Sequence, residues 1–328
     1  MPALIRVERL SQHFPVRGAL FGPKHVVHAL DEVDLAIDRG EAVGLIGESG
    51  SGKTTLGRTI LQLYPPTGGR IFFEGADVTD ARGSALRNLR RRMQMVFQNP
   101  YSAVNRRKRI ADIIQEPLRV HGIGNAGSRI QRSRELLDLV GLPVAFESRY
   151  PHEVSGGQLQ RVGIARALAL DPDFVIADEP TASLDVSIRA QVINLLADLR
   201  TRLGLTLLFI SHDLSIVSYL CERVAVMYLG KIVEVGPKAE LEREPLHPYT
   251  RALLSAIPRP DPRARRLQSA PLGEIPSAVH RPSGCHYHPR CPLAMPQCAT
   301  RYPPLELKAP GRWVACHAVS PMELQDDH

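Results

Sequence analysis

The chain reads as an α/β fold, with a mainly parallel sheet at its core and a helical insertion. Three observations predict this. The runs at residues 42–46, 174–177 and 205–210 are short, continuous and apolar, as strands covered on both faces are. A helical stretch at about 187–203 separates the last two, the alternation that a parallel sheet needs. The first run leads directly into Gly47-Glu48-Ser49-Gly50-Ser51-Gly52-Lys53-Thr54, a Gly-rich loop between a strand and a helix.

The other elements follow in order. Residues 3–10 read as a strand, and Val33, Leu35 and Ile37 alternate with polar neighbours as a half-buried strand does. Arg39-Gly40 turns the chain into the 42–46 run, and a helix begins near Lys53. Pro65-Pro66-Thr67-Gly68-Gly69 breaks that helix, and Ile71-Phe72-Phe73 follows as a strand. From about 99 to 170 the pattern is helical, with segments near 110–120 and 130–140. Near Pro258 the composition changes: Pro258, Pro260, Pro262, Pro271, Pro276 and Pro282 punctuate a linker, and four of the five cysteines lie beyond it. The expected organisation is a main domain over 1–240 and an extension over 241–328.

Bulk properties set limits. With 328 residues, 44% hydrophobic and 23% charged, the chain can build an ordinary globular core. The net charge of +7 reads as a solvated basic face. The runs Arg90-Arg91-Arg92 and Arg106-Arg107-Lys108-Arg109 lack interleaved aromatics, so no nucleic-acid partner is expected. No apolar run approaches the roughly 20 residues of a membrane helix, and the N-terminus lacks a secretory pattern. A soluble, cytosolic chain is expected, with any membrane path supplied by other chains.

The 47–54 segment fits G-x-x-x-x-G-K-[ST], whose glycines let backbone N–H groups converge on phosphate oxygens. Lys53 is expected between the β- and γ-phosphates of a bound nucleotide, and the Thr54 hydroxyl on Mg²⁺. Ser49, Gly50, Ser51, Gly52 and Thr55 complete this contact set. Asp178 and Glu179 end an apolar strand, where an open α/β sheet places its ligand crevice. Asp178 suits a metal role there. Ser155-Gly156-Gly157-Gln158 precedes a helix with Leu159, Val162, Ala165 and Ala169 at helical spacing, and Ser155 suits its N-cap.

In order and spacing, this loop, Gln98, Ser155-Gly156-Gly157-Gln158, Asp178-Glu179 and His212 resemble the ATP-binding subunit of an ABC transporter. The resemblance implies a P-loop NTPase cassette with antiparallel N-terminal strands, working as a head-to-tail dimer with ATP and Mg²⁺. It implies Glu179 as general base, Gln98 touching Mg²⁺ and the attacking water, and His212 on the γ-phosphate. It places the 155–158 loop on ATP held by the opposite subunit, Asp185 at the dimer contact, and Phe14 stacked on adenine, with His13 as rival. Departures are Val154 for leucine, Ala182-Ser183 for the inverted pair, and Asn105-Arg106 for Asn-Pro. Soluble ABC ATPases of repair or translation are the competing class. They carry two cassettes in one chain or long insertions, and this chain has neither.

The C-terminal part narrows the family. His247-Pro248-Tyr249-Thr250-Arg251-Ala252-Leu253-Leu254 and the segment from Gly284 to Pro292 resemble ATPases of oligopeptide, dipeptide and nickel importers, and the early features, Gly47 to Arg58 and Pro65 to Gly69, look most like the F-type subunit. The resemblance implies a D-type paralogue as second ATPase, two membrane permeases and an extracytoplasmic peptide-binding protein, with this chain peripheral on the cytoplasmic face of the plasma membrane. Nickel and glutathione are alternative cargoes. Cys285, Cys291, Cys298 and Cys316, spaced C-x5-C-x6-C-x17-C, form a full thiol ligand set. Resemblance favours a [4Fe–4S] cluster. Thiol chemistry also admits Zn²⁺, with His286, His288 or His317 as substitutes, or no metal. Cys221 reads as a buried apolar residue.

Overall fold

The computed structural model describes residues 2–16, 25–256, 276–320 and 322. The linker prolines Pro258, Pro260, Pro262 and Pro271 lie outside the described residues. In chain order the strands and helices begin with β1 (Ile5–Val16), β2 (His25–Ile37), β3 (Ala42–Ile46), α1 (Lys53–Ile60), β4 (Gly68–Phe73) and β5 (Ala76–Asp77). Next come α2 (Gly83–Arg92), β6 (Met93–Val96), α3 (Pro100–Ala103), α4 (Ile110–Val120), α5 (Ala126–Leu139) and α6 (Gly156–Leu168). Then follow β7 (Phe174–Asp178), α7 (Val186–Leu203), β8 (Thr206–Ile210), α8 (Leu214–Leu220), β9 (Arg223–Tyr228) and β10 (Lys231–Pro237). The chain continues through α9 (Lys238–Arg243), α10 (Pro248–Ser255), β11 (Glu306–Ala309) and β12 (Arg312–Val314). Two compact units divide it. The first takes Met1–Ala36, Val43–Thr79 and Ser211–His328, and the second Ile37–Ala42 and Asp80–Ile210.

In the first unit, β1 pairs antiparallel with β4, and β4 with β5. A second ladder runs β11-β12-β10-β9-β3. Only β3–β9 is parallel there; β9–β10, β10–β12 and β12–β11 are antiparallel. All five residues of β3 are buried, which is why its run is continuous rather than alternating. The described residues from Ser211 onward belong to this unit, so the extension shares a folding unit with the Gly-rich loop.

One buried ion pair ties the extension in. Glu234 on β10 and Arg312 on β12 meet at 2.8 Å, with side chains 0% and 4% exposed. The Glu234 carboxylate also accepts the Leu246 N–H at 3.0 Å and the His247 N–H at 2.9 Å. Arg312 donates to the Glu244 carbonyl at 2.6 Å. These bonds satisfy a carboxylate that would otherwise be too costly to bury. They also fix the entry to α10, where the neutral His247 ring accepts the Tyr249 N–H as N-cap.

In the second unit β6, β7 and β8 form a parallel ladder. Between β6 and β7 lie the helices α3, α4, α5 and α6, in the stretch that reads as helical from sequence. Within it, α4 matches the 110–120 reading, while α5 starts earlier than 130 because Asn125 and Ser128 form a capping box. The Arg90–Arg92 run is the last turn of α2, where basic side chains complement the helix dipole. Helix α7 stops at Gly204, whose φ of 62° supplies the left-handed C-cap. Among the described residues, no helix is long and apolar enough to cross a membrane.

Candidate ATP site

In the first unit the 47–54 loop joins β3 to α1. A Cβ on Gly47 would lie 2.2 Å from the Met227 carbonyl oxygen, so only glycine lets this loop pass strand β9. Gly52, at φ 106°, is the N-cap of α1 without a side-chain cap bond. The Lys53 ammonium is buried, donating to the carbonyls of Gly47 at 2.7 Å and Glu48 at 2.8 Å and reaching the Ser51 hydroxyl at 3.3 Å. Thr54 and Thr55 are half-buried on the first turn, while Ser49 and Gly50 are exposed.

His212 lies between β8 and α8, after Ser211 and before Asp213. The Asp213 N–H donates to the Ser211 hydroxyl at 2.9 Å, and the Asp213 side chain caps α8 through the Ser215 N–H at 3.0 Å. This bracket fixes the backbone that carries the histidine. Phe14 is half-buried and packs edge-on against Tyr64 at 5.3 Å, whereas its rival His13 is engaged with the His28 ring at 4.2 Å.

In the second unit, Asp178 is buried at the end of β7 and Glu179 follows in a left-handed conformation, φ 43°. A non-glycine residue there is strained, and such strain persists where neighbours fix it. The Glu179 N–H donates to the Ile210 carbonyl at 2.9 Å, and its carbonyl accepts the Ala182 N–H at 3.1 Å. Its carboxylate accepts the Gln98 side-chain amide at 2.8 Å. The structure therefore brings together two residues 81 positions apart that the sequence reading had assigned to one reaction. Buried Gln160 on α6 donates to the Phe97 carbonyl at 3.2 Å, tying the Gln98 segment to the helix that follows the 155–158 loop.

That loop is the N-terminus of α6. Ser155 accepts the Gln158 N–H at 3.3 Å, and the Gln158 side chain accepts the Ser155 N–H at 2.9 Å, a reciprocal capping box. A Cβ on Gly157 would lie 2.2 Å from Ile188 Cγ2, so glycine permits close packing on the start of α7. Gly156 is half-buried and Ser155 exposed. Asp185 occupies the N-cap position of α7 without a side-chain cap bond, and Ala182 and Ser183 are exposed beside it.

Two functionally placed residues were not read from the sequence. Tyr249 and Arg290, both in the first unit, contact Glu48 of the Gly-rich loop. Their signal lay in the His247-Pro248-Tyr249 motif and the 285–291 segment, which had suggested family and metal but no contact.

The four cysteines of the extension are free thiols. Burial pushes Cys285 up to about 11, with Cys298, Cys316 and Cys291 adding repulsion against its thiolate. Burial likewise raises Cys291 and Cys316. The sulfurs thus share one neighbourhood, yet among the described residues no group of three or more His, Cys, Asp or Glu side chains is placed to hold a metal ion. The substitute ligands are engaged elsewhere: His288 Nδ1 meets the Cys285 carbonyl at 2.9 Å, and His317 Nε2 the Arg301 carbonyl at 3.0 Å. Burial lowers His286 to about 4 as its ring packs on Tyr302. The expectation of an iron–sulfur or zinc centre therefore gains no support. Cys221 is buried, as expected.

The family model for ABC transporters matches residues 30–182, and the model for the oligopeptide/dipeptide transporter C-terminal region matches residues 233–298. A Brucella ovis protein, provisionally named a peptide import ATP-binding protein, is 52% identical over 313 residues, covering 95% of this chain and 97% of the relative. The chain belongs to the ABC transporter ATP-binding family. The oligopeptide transport ATP-binding protein AppF of Bacillus subtilis is another member, 47% identical over 321 residues, covering 97% of this chain and 98% of its own. Among solved structures, the ATP-binding cassette MJ0796 in a dimeric post-hydrolysis state with ADP and Pi aligns with a TM-score of 0.64 at 29% identity, over 71% of this chain and 98% of that one. CbiO1 of Clostridium perfringens, described as part of a transporter complex, aligns at 0.63 and 28% identity, over 74% and 92%. The fold is that of the ABC cassette, and the chain is an ABC ATPase.

Proposed function

We propose that this chain is the ATP-hydrolysing subunit of an ABC importer for peptides. The observation that carries the chemistry is Glu179, held in a strained corner directly after buried Asp178 with its carboxylate on Gln98. A carboxylate fixed at a strand end is suited to take the proton of an attacking water. Gln98 orients that carboxylate and the water. Lys53 receives the β- and γ-phosphates of ATP, with N–H groups from residues 47–52 around them. Phe14 stacks on adenine, and His212 contacts the γ-phosphate.

The hydroxyl of Thr54, the amide oxygen of Gln98 and the Asp178 carboxylate are the hard oxygen donors that Mg²⁺ takes. Mg²⁺, when bound, offsets charge on the phosphate oxygens. Ser155, Gly156, Gly157 and Gln158 act on ATP held by a second cassette, with Asp185 at that contact. We assign the second cassette to a D-type paralogue, beneath two permeases fed by an extracytoplasmic peptide-binding protein, on the cytoplasmic face of the membrane. The match of residues 233–298 to the oligopeptide/dipeptide C-terminal region supports peptide cargo. A metal at the four cysteines is no part of this proposal.

In the assembled transporter, Glu179→Gln keeps ATP affinity while turnover drops by about 100-fold or more, the range lost with a general base. Turnover near the wild-type rate removes Glu179 as the base.

A further inference from the structure

Glu48, the second residue of the Gly-rich loop, is gripped at three points. Its carbonyl accepts from the Lys53 ammonium at 2.8 Å. Its N–H donates to the Tyr249 hydroxyl at 2.9 Å, and its carboxylate meets Arg290 twice, at 3.1 and 3.3 Å. Two of these three holds come from the C-terminal extension. Tyr249 lies on α10, and Arg290 closes a 3₁₀ turn, His288–Arg290, between Cys285 and Cys291.

The grip is shielded. Arg290 is 5% exposed, and its guanidinium also reaches the Tyr228 hydroxyl at 3.4 Å. The rings of Tyr228, Tyr249 and Tyr287 meet one another at 4.6, 5.3 and 5.4 Å, forming an apolar collar. A two-point Arg–carboxylate pair in such a setting fixes orientation far better than a surface pair does. Glu48 also poses an electrostatic problem, since a carboxylate in a phosphate-binding loop opposes an incoming polyanion. Arg290 offsets that charge. Because the same residue's carbonyl holds the Lys53 ammonium, the orientation of Glu48 also decides where the lysine charge rests.

We propose that the C-terminal extension positions the phosphate-binding loop: Arg290 and Tyr249 act through Glu48 to hold the 47–51 turn ready for ATP. Arg290 and Tyr249 are positioning residues that need not touch the nucleotide. The inference rests on the ATP reading above and adds to it the element that shapes the loop.

The test uses the full chain. A fluorescent ATP analogue measures affinity, and the assembled transporter gives kcat and KM. Arg290→Gln weakens ATP affinity by about tenfold, the cost of losing bonds to a charged group, with saturated turnover within about threefold of wild type. Pairing it with Glu48→Gln removes the stranded charge, so the double variant binds ATP no more weakly than Arg290→Gln alone. Tyr249→Phe keeps the ring and removes the hydroxyl; it weakens affinity several-fold and serves if Arg290→Gln does not fold. Affinity within twofold of wild type for the folded variants overturns the proposal. Multiplied losses in the double variant, as from two unconnected structural roles, also overturn it. A wild-type chain that fails to bind ATP overturns the ATP reading itself, and this inference with it.

Discussion

The 155–158 loop is held by its own neighbours, whereas the 47–54 loop is held in part by a residue 242 positions away. Ser155 and Gln158 exchange two bonds within one helical turn, and nothing beyond α6 and the start of α7 is needed to explain the shape. Glu48 depends on Tyr249 and Arg290, and Tyr249 in turn sits on a helix whose entry is fixed by Glu234 and Arg312. One loop is a local motif, and the other is the end of a chain of long-range contacts. Their sensitivities to remote change should differ accordingly.

The strongest challenge to that contrast is Arg312→Ala. It strands the Glu234 carboxylate in the first unit, and breaking a buried pair costs about 3–5 kcal/mol. Urea unfolding should report this loss, with weakened ATP affinity from a loosened α10. A change below about 1 kcal/mol would mean that the pair does not organise this region.

Acid sharpens the contrast next. Burial lowers His247 from 6.5 to about 3, with the Ala315 carbonyl working against that shift and Arg251 reinforcing it. Between those values the unfolded chain binds a proton that the folded chain does not, so stability is complete above pH 6.5 and falls as pH drops towards 3. The loss is on the order of a few kcal/mol, with His286 adding to it in the same direction. Denaturant titrations from pH 7.5 to 5 in wild type and His247→Asn check this. A wild-type slope no steeper than the variant's would remove His247 as the source.

The smallest effect is expected at Ser155→Ala. Losing one N-cap costs about 1 kcal/mol, and it should appear as faster amide exchange at the start of α6 with ATP affinity of the isolated chain unchanged. Spread of the effect to the 47–54 loop would erase the distinction between the two loops.

The same contrast explains what was legible in the sequence. Strands β3, β7 and β8 were readable because buried parallel strands are continuous apolar runs, and α6 because its cap and period are local. The Ser155 N-cap could be read for the same reason. Gln98 and Glu179 each take a role by resemblance alone, and the 2.8 Å contact between them is a tertiary fact. The antiparallel strands β11 and β12 went unread, since four and three residues are too short to show a period. Arg290 was unreadable for another reason. Next to Cys291, an arginine resembles any surface cation until the fold removes it from solvent.

Strand β10 lies between β9 and β12, and that placement bears on how small this ATPase can be made. Composition suggests trimming after residue 240. Such a cut would strip away β12 and leave β10 as a raw margin, its N–H and C=O groups facing outward and a carboxylate set among apolar side chains. Open margins of that kind recruit other sheets and drive edge-to-edge association. The tail is thus also a cover, and a shortened chain should be prone to aggregate before it ever meets a nucleotide.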